Sequence, residues 1–534
     1  MATRAKGALL PALTDRLNPR NLALWSAAAV CGLLAALAAE ALNWALDATL
    51  DGLRPYRTLW WAAALPAAGA AAAVLLKDKV FCQTEREGVP RVIASVCRGD
   101  GRLDPRSSVT DLLYCVLSLG SGGSVGPEGP IVGSGAAIGS NMVRLFRLPE
   151  NYRITLAACG ASGAIAAIFN APATGIIFAL EIILGAWTSF YLVPIAISAL
   201  AATWLARQLS GGAAAFQATE NALHGMDWMA VLAVVVFAVA VSVAFARLIR
   251  MVHQQGERLA RPEWLRAAAG GLLVGVMGLF MPMVLGEGYL PTMEAINNNF
   301  PGGLVVAAAF VAAKLLATSL SLGTGAPGGI FAPCLVLGST AGLACFRSLE
   351  ALLPGRYASA DETGFALMGM AGVVSGVMQA PLTGLVLVLE ITASHGAIFP
   401  LMVTVLAAAV LSHHLEPTPF YFKPLVDSGE YAPPKSDLRI LSRLRLADAI
   451  DDSRMRVAPD VALGEFMRRL KGSLATHIPV VEEDGRYRGM NGPDQRRGRP
   501  RPPAAKDRAI LSLPAVSPLG AHPVSSNCMR YRRS

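Results

Sequence analysis

Apolar runs long enough to cross a bilayer, roughly 20 residues each, recur through this chain at about 22 to 46, 58 to 76, 153 to 180, 190 to 206, 228 to 246, 267 to 285, 303 to 322 and 397 to 412. Each such run reads as a membrane helix, and most charges fall between them. Of 534 residues, 54% are hydrophobic and 16% charged, and the mean hydropathy is +0.47, values outside the soluble range. The chain reads as an all-α polytopic membrane protein with the lipid bilayer as its first partner.

The first twenty residues lack the short apolar core and small-residue cleavage site of a signal peptide. Arg4, Lys6, Arg16 and Arg20 precede the first run, which places residues 1 to 20 in the cytoplasm, and Lys77, Lys79, Arg86, Arg91 and Arg98 follow the second run on the same side. The expected location is the inner (plasma) membrane, multi-pass, with both termini cytoplasmic. This topology accounts for the net charge of +9, which otherwise would raise nucleic acid as a partner; none is expected. The eight cysteines show no C-x-x-C pairing, so neither a disulfide framework nor a metal site is expected, and no cofactor is called for.

Between two apolar segments lies Gly-Ser-Gly-Gly-Ser-Val-Gly-Pro-Glu-Gly-Pro, residues 120 to 130, with one carboxylate, Glu128. Backbone leaves helical geometry inside a membrane only where protein or a watery cavity satisfies its polar groups. A carboxylate at such a break is costly unless it functions. A second set of breaks follows: Gly160-Ala161-Ser162-Gly163 leads to Asn170-Ala171-Pro172-Ala173-Thr174-Gly175 and to Leu180-Glu181-Ile182.

The same order returns later. Gly369-Met370-Ala371-Gly372 leads to Gln379-Ala380-Pro381-Leu382-Thr383-Gly384 and Leu389-Glu390-Ile391, and 369 minus 160, 381 minus 172 and 390 minus 181 all give 209. Gly122, Gly126 and Pro130 match Gly325, Gly329 and Pro333 at an offset of 203, which sets Glu128 opposite Phe331. Duplicated halves with matching interruptions mark a transporter-type fold with its site at the repeat interface, the halves being inverted or parallel. Glu181 and Glu390 sit at equivalent positions at the ends of apolar runs, where accepting backbone or interfacial hydrogen bonds is favoured over transport chemistry.

A helix start aimed into the protein offers unpaired N–H groups and about half a positive charge, which holds an anion without a full buried cation. Candidate starts are Gly88-Val89-Pro90, Glu128-Gly129-Pro130, Gly329-Ile330-Phe331 and Ala171-Pro172. Helix packing is the competing role for each glycine. Lys314 lies in an apolar run and can snorkel or pair, and His395, His413 and His414 read as interfacial. Gly160-Ala161-Ser162-Gly163 also fits an intramembrane serine protease motif, a remote alternative: Ser162 would need a facing histidine, and its repeat equivalent is Ala371.

Beyond Tyr421 the character changes. Residues 426 to 444 read as a linker, and 445 to 490 as a small α/β unit with helical spacing at 447 to 450 and 463 to 470. A buried strand is expected at His477 to Val481, with a turn at Asp484-Gly485. Residues 491 to 534 lose all periodicity and read as a disordered or frame-shifted tail.

Together these residues resemble the CLC family of chloride channels and chloride/proton antiporters. Gly126-Pro127-Glu128-Gly129-Pro130 is similar to its gating-glutamate motif, Gly329-Ile330-Phe331-Ala332-Pro333 to its Gly-x-Phe-x-Pro motif, and Tyr421 to the tyrosine closing the anion path. Residues 445 to 490 resemble the first part of a CBS module, the cytosolic regulatory unit that many members carry.

The resemblance implies two inverted repeats of broken, tilted helices within a membrane domain spanning 21 to 425, at about 60 to 210 and 265 to 425. It further implies a homodimer with one pore per subunit, carrying chloride or another small anion and no enzymatic activity. Gly88, Val89, Gly129, Gly329, Ile330, Phe331 and Tyr421 would line the anion site, with Phe331 and Tyr421 facing the path and not the core, and Glu128 would be the gate.

Four departures from the family pattern stand out. Pro127 replaces a basic residue and Glu87 a serine that would coordinate the anion, while the tail lacks the rest of a CBS unit. Ile182 replaces the inner proton-transfer glutamate, which favours a voltage-gated-type channel over an antiporter; in the antiporter alternative, Glu128, Glu181 and the Ile182 position would mark the proton path.

Overall fold

The computed structural model describes residues 19–56, 59–83, 87–211, 216, 228–258, 262–357, 361–393, 398–430, 458–462, 464–465, 478–481 and 487–491. The chain divides into two compact units, 1–434 and 435–534. In the first, the helices are α1 (Pro19–Leu53), α2 (Leu65–Leu75), α3 (Gly88–Cys97), α4 (Ser107–Gly120), α5 (Glu128–Leu145), α6 (Arg153–Ile168), α7 (Pro172–Phe178), α8 (Ser189–Ser210) and α9 (Trp228–Arg258). Then come α10 (Glu263–Phe280), α11 (Tyr289–Ile296), α12 (Leu304–Gly323), α13 (Phe331–Leu352), α14 (Glu362–Met378), α15 (Pro381–Thr392), α16 (Ile398–Leu415) and α17 (Lys423–Asp427).

Eight stretches among the described residues are long and apolar enough to span a bilayer, and seven coincide with expected runs. Two expectations need correction. The run at 153 to 180 is two helices, α6 and α7, because Asn170 adopts a left-handed conformation (φ 53°) and Pro172 starts a new helix after it. The remaining span, α13, has no counterpart among the expected runs. Its Gly338, Ser339, Thr340 and Gly342 lower the local hydropathy, and it tolerates them because it is buried inside the protein and does not face lipid.

The duplication is visible in the backbone. Gly122 and Gly325 take φ of 107° and 102°, conformations that need glycine. Asn170 and Gln379 both sit at φ 53°, followed by cap residues Ala171 (φ −129°, ψ 84°) and Ala380 (φ −126°, ψ 81°) and then by proline-initiated α7 and α15. The helix crossings repeat too. A β-carbon on Gly160 would stand 1.8 Å from the Gly135 carbonyl oxygen, and one on Gly369 2.2 Å from that of Gly338. These glycines serve close packing of α5 on α6 and of α13 on α14. The result is two inverted repeats of broken helices.

In the second unit, β1 (Ile478–Val481) pairs antiparallel with β2 (Tyr487–Asn491), from Ile478 opposite Asn491 to Val481 opposite Tyr487, with an irregularity between Val480 and Val481. A strand is therefore present where one was expected, but Val480 and Val481 are half-buried and not buried. The turn at 484 to 485, the helical spacing at 447 to 450, most of 463 to 470 and the tail after Asn491 lie outside the described residues.

Candidate functional site

Three helix N-termini meet at one point. A β-carbon on Gly88 would lie 2.8 Å from the Gly129 carbonyl oxygen, and one on Gly329 2.6 Å from Gly129 N, so α3, α5 and α13 approach as closely as bare backbone allows. The two glycine breaks also bond to each other: Gly126 N donates to Gly329 O at 2.9 Å and Gly329 N to Gly126 O at 2.6 Å, a two-residue β-bridge joining the repeats. Helix geometry leaves the N–H groups of Val89, Glu128, Gly129, Phe331 and Ala332 without carbonyls inside their own helices.

Two buried polar groups flank this convergence without hydrogen-bond partners. Glu128, the first residue of α5, is fully buried, and both its carboxylate oxygens lack a partner. The carboxylate is aimed at its own N–H and that of Ala332 without closing a well-formed hydrogen bond to either. On the other side Tyr421, in the short 3-10 turn Phe420–Phe422, is 4% exposed and its hydroxyl is unpaired. Buried polar groups are rarely left so; Tyr421 faces a space beside the three helix starts.

That space is a cavity of about 260 Å³ lined by Glu87, Gly88, Val89, Gly129, Gly329, Ile330 and Tyr421, with Lys77 and Glu263 at its wall. It shares Ile249, Leu322 and Phe420 with a wider cavity of about 460 Å³, lined also by Arg250, His253, Lys423 and Asp427. The smaller cavity is walled by helix starts that offer N–H groups, and this chemistry favours an anion.

The structure revises the expected lining in three places. Gly329 has its N–H committed to Gly126, so it contributes close approach and not a donor. The Gly88 N–H faces the Asp111 carboxylate, which occupies it from behind. Phe331 fills a core: its ring is fully buried against Phe178 (5.5 Å between centroids), Phe169 (6.2 Å) and Tyr421 (6.4 Å), and only its backbone can serve a ligand. Val89, Gly129 and Ile330 stand in the cavity wall.

Glu181 and Glu390 do the same thing in opposite directions. Glu390 accepts from Ala173 N (2.9 Å), Thr174 N (2.7 Å) and Thr174 Oγ1 (2.7 Å) at the start of α7. Glu181 accepts from Leu382 N (3.2 Å), Thr383 N (2.7 Å) and Thr383 Oγ1 (2.7 Å) at the start of α15. Each repeat thus caps a helix of the other, and the Ala171-Pro172 start carries a carboxylate, not an open site. Ile182 is buried among apolar side chains.

Lys314 is fully buried and pairs with backbone, its Nζ donating to Val284 O (2.9 Å) and Gly286 O (2.8 Å). His413 contacts Gln379 Oε1 at 2.8 Å and His414 the Val410 carbonyl at 2.8 Å; His395 lies outside the described residues. Ser162 is buried in α6 with an unpaired hydroxyl, and no histidine contact to it exists among the described residues.

One functional neighbour had no individual signal in the sequence. Arg91 and Asp111 form a buried bidentate pair (3.2 and 2.5 Å) directly behind Gly88, against the spot where a β-carbon on Gly133 would fall. Opposite charges within otherwise buried helix faces were the available hint, but spacing does not say which will pair.

The family profile described as "Voltage gated chloride channel" matches residues 68–413. A ClcB-like chloride channel protein of Ralstonia nicotianae is 33% identical over 369 residues, covering 66% of this chain and 83% of that protein. The H(+)/Cl(-) exchange transporter ClcA of Vibrio parahaemolyticus is 32% identical over 314 residues, 57% of this chain and 66% of that one. The crystal structure of a slow cyanobacterial Cl-/H+ antiporter superposes with a TM-score of 0.68 at 26% identity, covering 77% of this chain and 98% of that one.

Proposed function

The chain belongs to the voltage-gated chloride channel (CLC) family of anion transporters, and from that premise we propose that it is a chloride channel whose path runs between Tyr421 and Glu128. The observation that carries this reading is the pair of unpartnered buried groups, the Glu128 carboxylate and the Tyr421 hydroxyl, on either side of three converging helix N-termini. An ionised Glu128 competes with chloride for the same N–H groups and closes the path; protonation or displacement by anion opens it.

The inner proton route of an exchanger would have to pass Ile182, which offers no proton site, and the neighbouring Glu181 is engaged by Thr383. These two features favour conduction without proton coupling. Proton/chloride exchange is the second reading, favoured by the exchanger and antiporter among the similar proteins. Chloride efflux from proteoliposomes, with proton movement recorded simultaneously, separates the two. Chloride flux without stoichiometric proton flux is the expected result, and uphill proton movement driven by a chloride gradient would overturn the channel reading.

The protein is a multi-pass integral membrane protein, and we place it in the inner membrane with cytoplasmic termini, on the basic residues flanking its first two spans. A homodimer is proposed as its assembly. Leu200 and Trp204 of α8 and Phe399, Leu406 and Val410 of α16 supply exposed apolar surface for it.

A further inference from the structure

The smaller cavity holds carboxylates that a path for anions does not account for, and one of them, Glu87, stands at a helix start. Glu87 occupies the cap position before α3, in extended backbone (φ −106°, ψ 158°), where a carboxylate ordinarily folds back onto the first N–H groups of its helix. It makes no such bond. Its Oε1 lies 3.0 Å from Lys77 Nζ instead, an ion pair of imperfect geometry, since that buried oxygen has no well-formed hydrogen bond. The pair is shielded but not dry, with side-chain exposures of 15% for Lys77 and 21% for Glu87. Lys77 is carried by the π-turn Leu76–Val80 that follows α2, and Glu263 and Asp78 also face it.

We propose that Glu87 is a second gate of the anion path, at the end opposite Glu128, held out of the path by Lys77. The inference rests on reading the cavity as that path. Glu87 has two places to put its charge: on Lys77, where that charge is paired, or on the start of α3, where it caps the helix and takes the position of the anion. Among the described residues only the Lys77 contact holds it in the first place, since no cap hydrogen bond and no second cation there engages it. Lys77 carries competing carboxylates of its own, so the contact can open without leaving a bare buried ammonium. A carboxylate in an anion path is then tolerated because it is locked, and the lock makes it a switch.

The test uses full-length wild type, Lys77→Gln, Glu87→Gln and the double variant, read by calorimetric titration with chloride and by chloride efflux from liposomes. Lys77→Gln is expected to weaken chloride binding about tenfold and to slow efflux in parallel, the scale of one like charge released a few ångströms from the ion. Glu87→Gln should bind at least as well as wild type, and the double variant should return to within about twofold of Glu87→Gln.

Lys77→Gln within twofold of wild type, or a double variant as impaired as Lys77→Gln alone, would overturn the proposal; the latter would make Lys77 a simple attractor of anions. Should Lys77→Gln not fold, Glu87→Asp decides: its shorter stem loses Lys77 while its carboxylate makes a better cap, so binding must fall, and wild-type binding would refute the lock. Absence of chloride binding and efflux in wild type would instead defeat the anion-path reading itself, and the lock with it.

Discussion

Replacing Glu390 by alanine strips the start of α7 of three hydrogen bonds, from Ala173 N, Thr174 N and Thr174 Oγ1. Bonds to a charged acceptor contribute about 1.5–3 kcal/mol each, but three sharing one carboxylate do not add fully, so a loss of about 3–5 kcal/mol is expected. A seven-residue helix has little intrinsic stability to absorb this. For a unit of 434 residues, unfolding entropy of the globular scale converts that loss into a fall in melting temperature of about 3–5 °C. Glu390→Gln keeps one acceptor oxygen but turns an amide NH₂ toward the donors, and should lose about half as much.

Since Glu181 makes the same three contacts with Leu382 and Thr383, Glu181→Gln must behave like Glu390→Gln. Thermal unfolding of the purified protein, followed by size-exclusion fluorescence, reads both. A Glu181→Gln protein that melts like wild type but alters proton movement would refute the capping argument and return Glu181 to a proton path.

Phe331→Ala should cost about 3–5 kcal/mol in stability, because it empties a fully buried aromatic cluster, whereas Tyr421→Phe should leave the melting temperature within a degree or so and change anion discrimination; unfolding curves and a halide selectivity series check the two. Gly338→Ala drives a methyl into the Met370 Cα and the Gly369 carbonyl at 2.5–2.6 Å and should cost about 1–3 kcal/mol or prevent folding, with Gly135→Ala, against the Gly160 carbonyl at 2.4 Å, doing likewise at the equivalent crossing. Arg91→Ala should lower stability by about 3–5 kcal/mol by leaving the Asp111 carboxylate buried and unpaired, and Arg91→Ala/Asp111→Ala should recover part of that loss in the same unfolding assay.

Much of the fold was readable because the repeat imposes the same local chemistry twice. Asn170 and Gln379 take left-handed turns before Ala-Pro, and Glu181 and Glu390 find Thr383 and Thr174, so the same local chemistry recurs at fixed offset. The remainder was hidden where the deciding contact lies between distant elements. Nothing in either glycine-rich break announces that Gly126 and Gly329 bond to each other and so use up the Gly329 N–H. The α13 span escaped because a helix enclosed by protein can carry Gly, Ser and Thr that lower its hydropathy. Phe331 sits in a motif whose backbone faces the cavity, and only packing shows that its ring points away into Phe169 and Phe178. Glu87 was legible as an anomaly, but its partner Lys77, ten residues earlier across the turn between α2 and α3, was not.

The central claim is that the Glu128 carboxylate competes with the anion for the N–H groups at the start of α5 and α13. Chloride flux through reconstituted wild type and Glu128→Gln, measured across a range of external pH, tests it most directly. Wild-type flux is expected to rise as pH falls, since protonation removes the competitor, and Glu128→Gln, neutral at every pH, is expected to be open and nearly pH-independent. A well-folded Glu128→Gln protein that keeps the wild-type pH dependence would contradict the account.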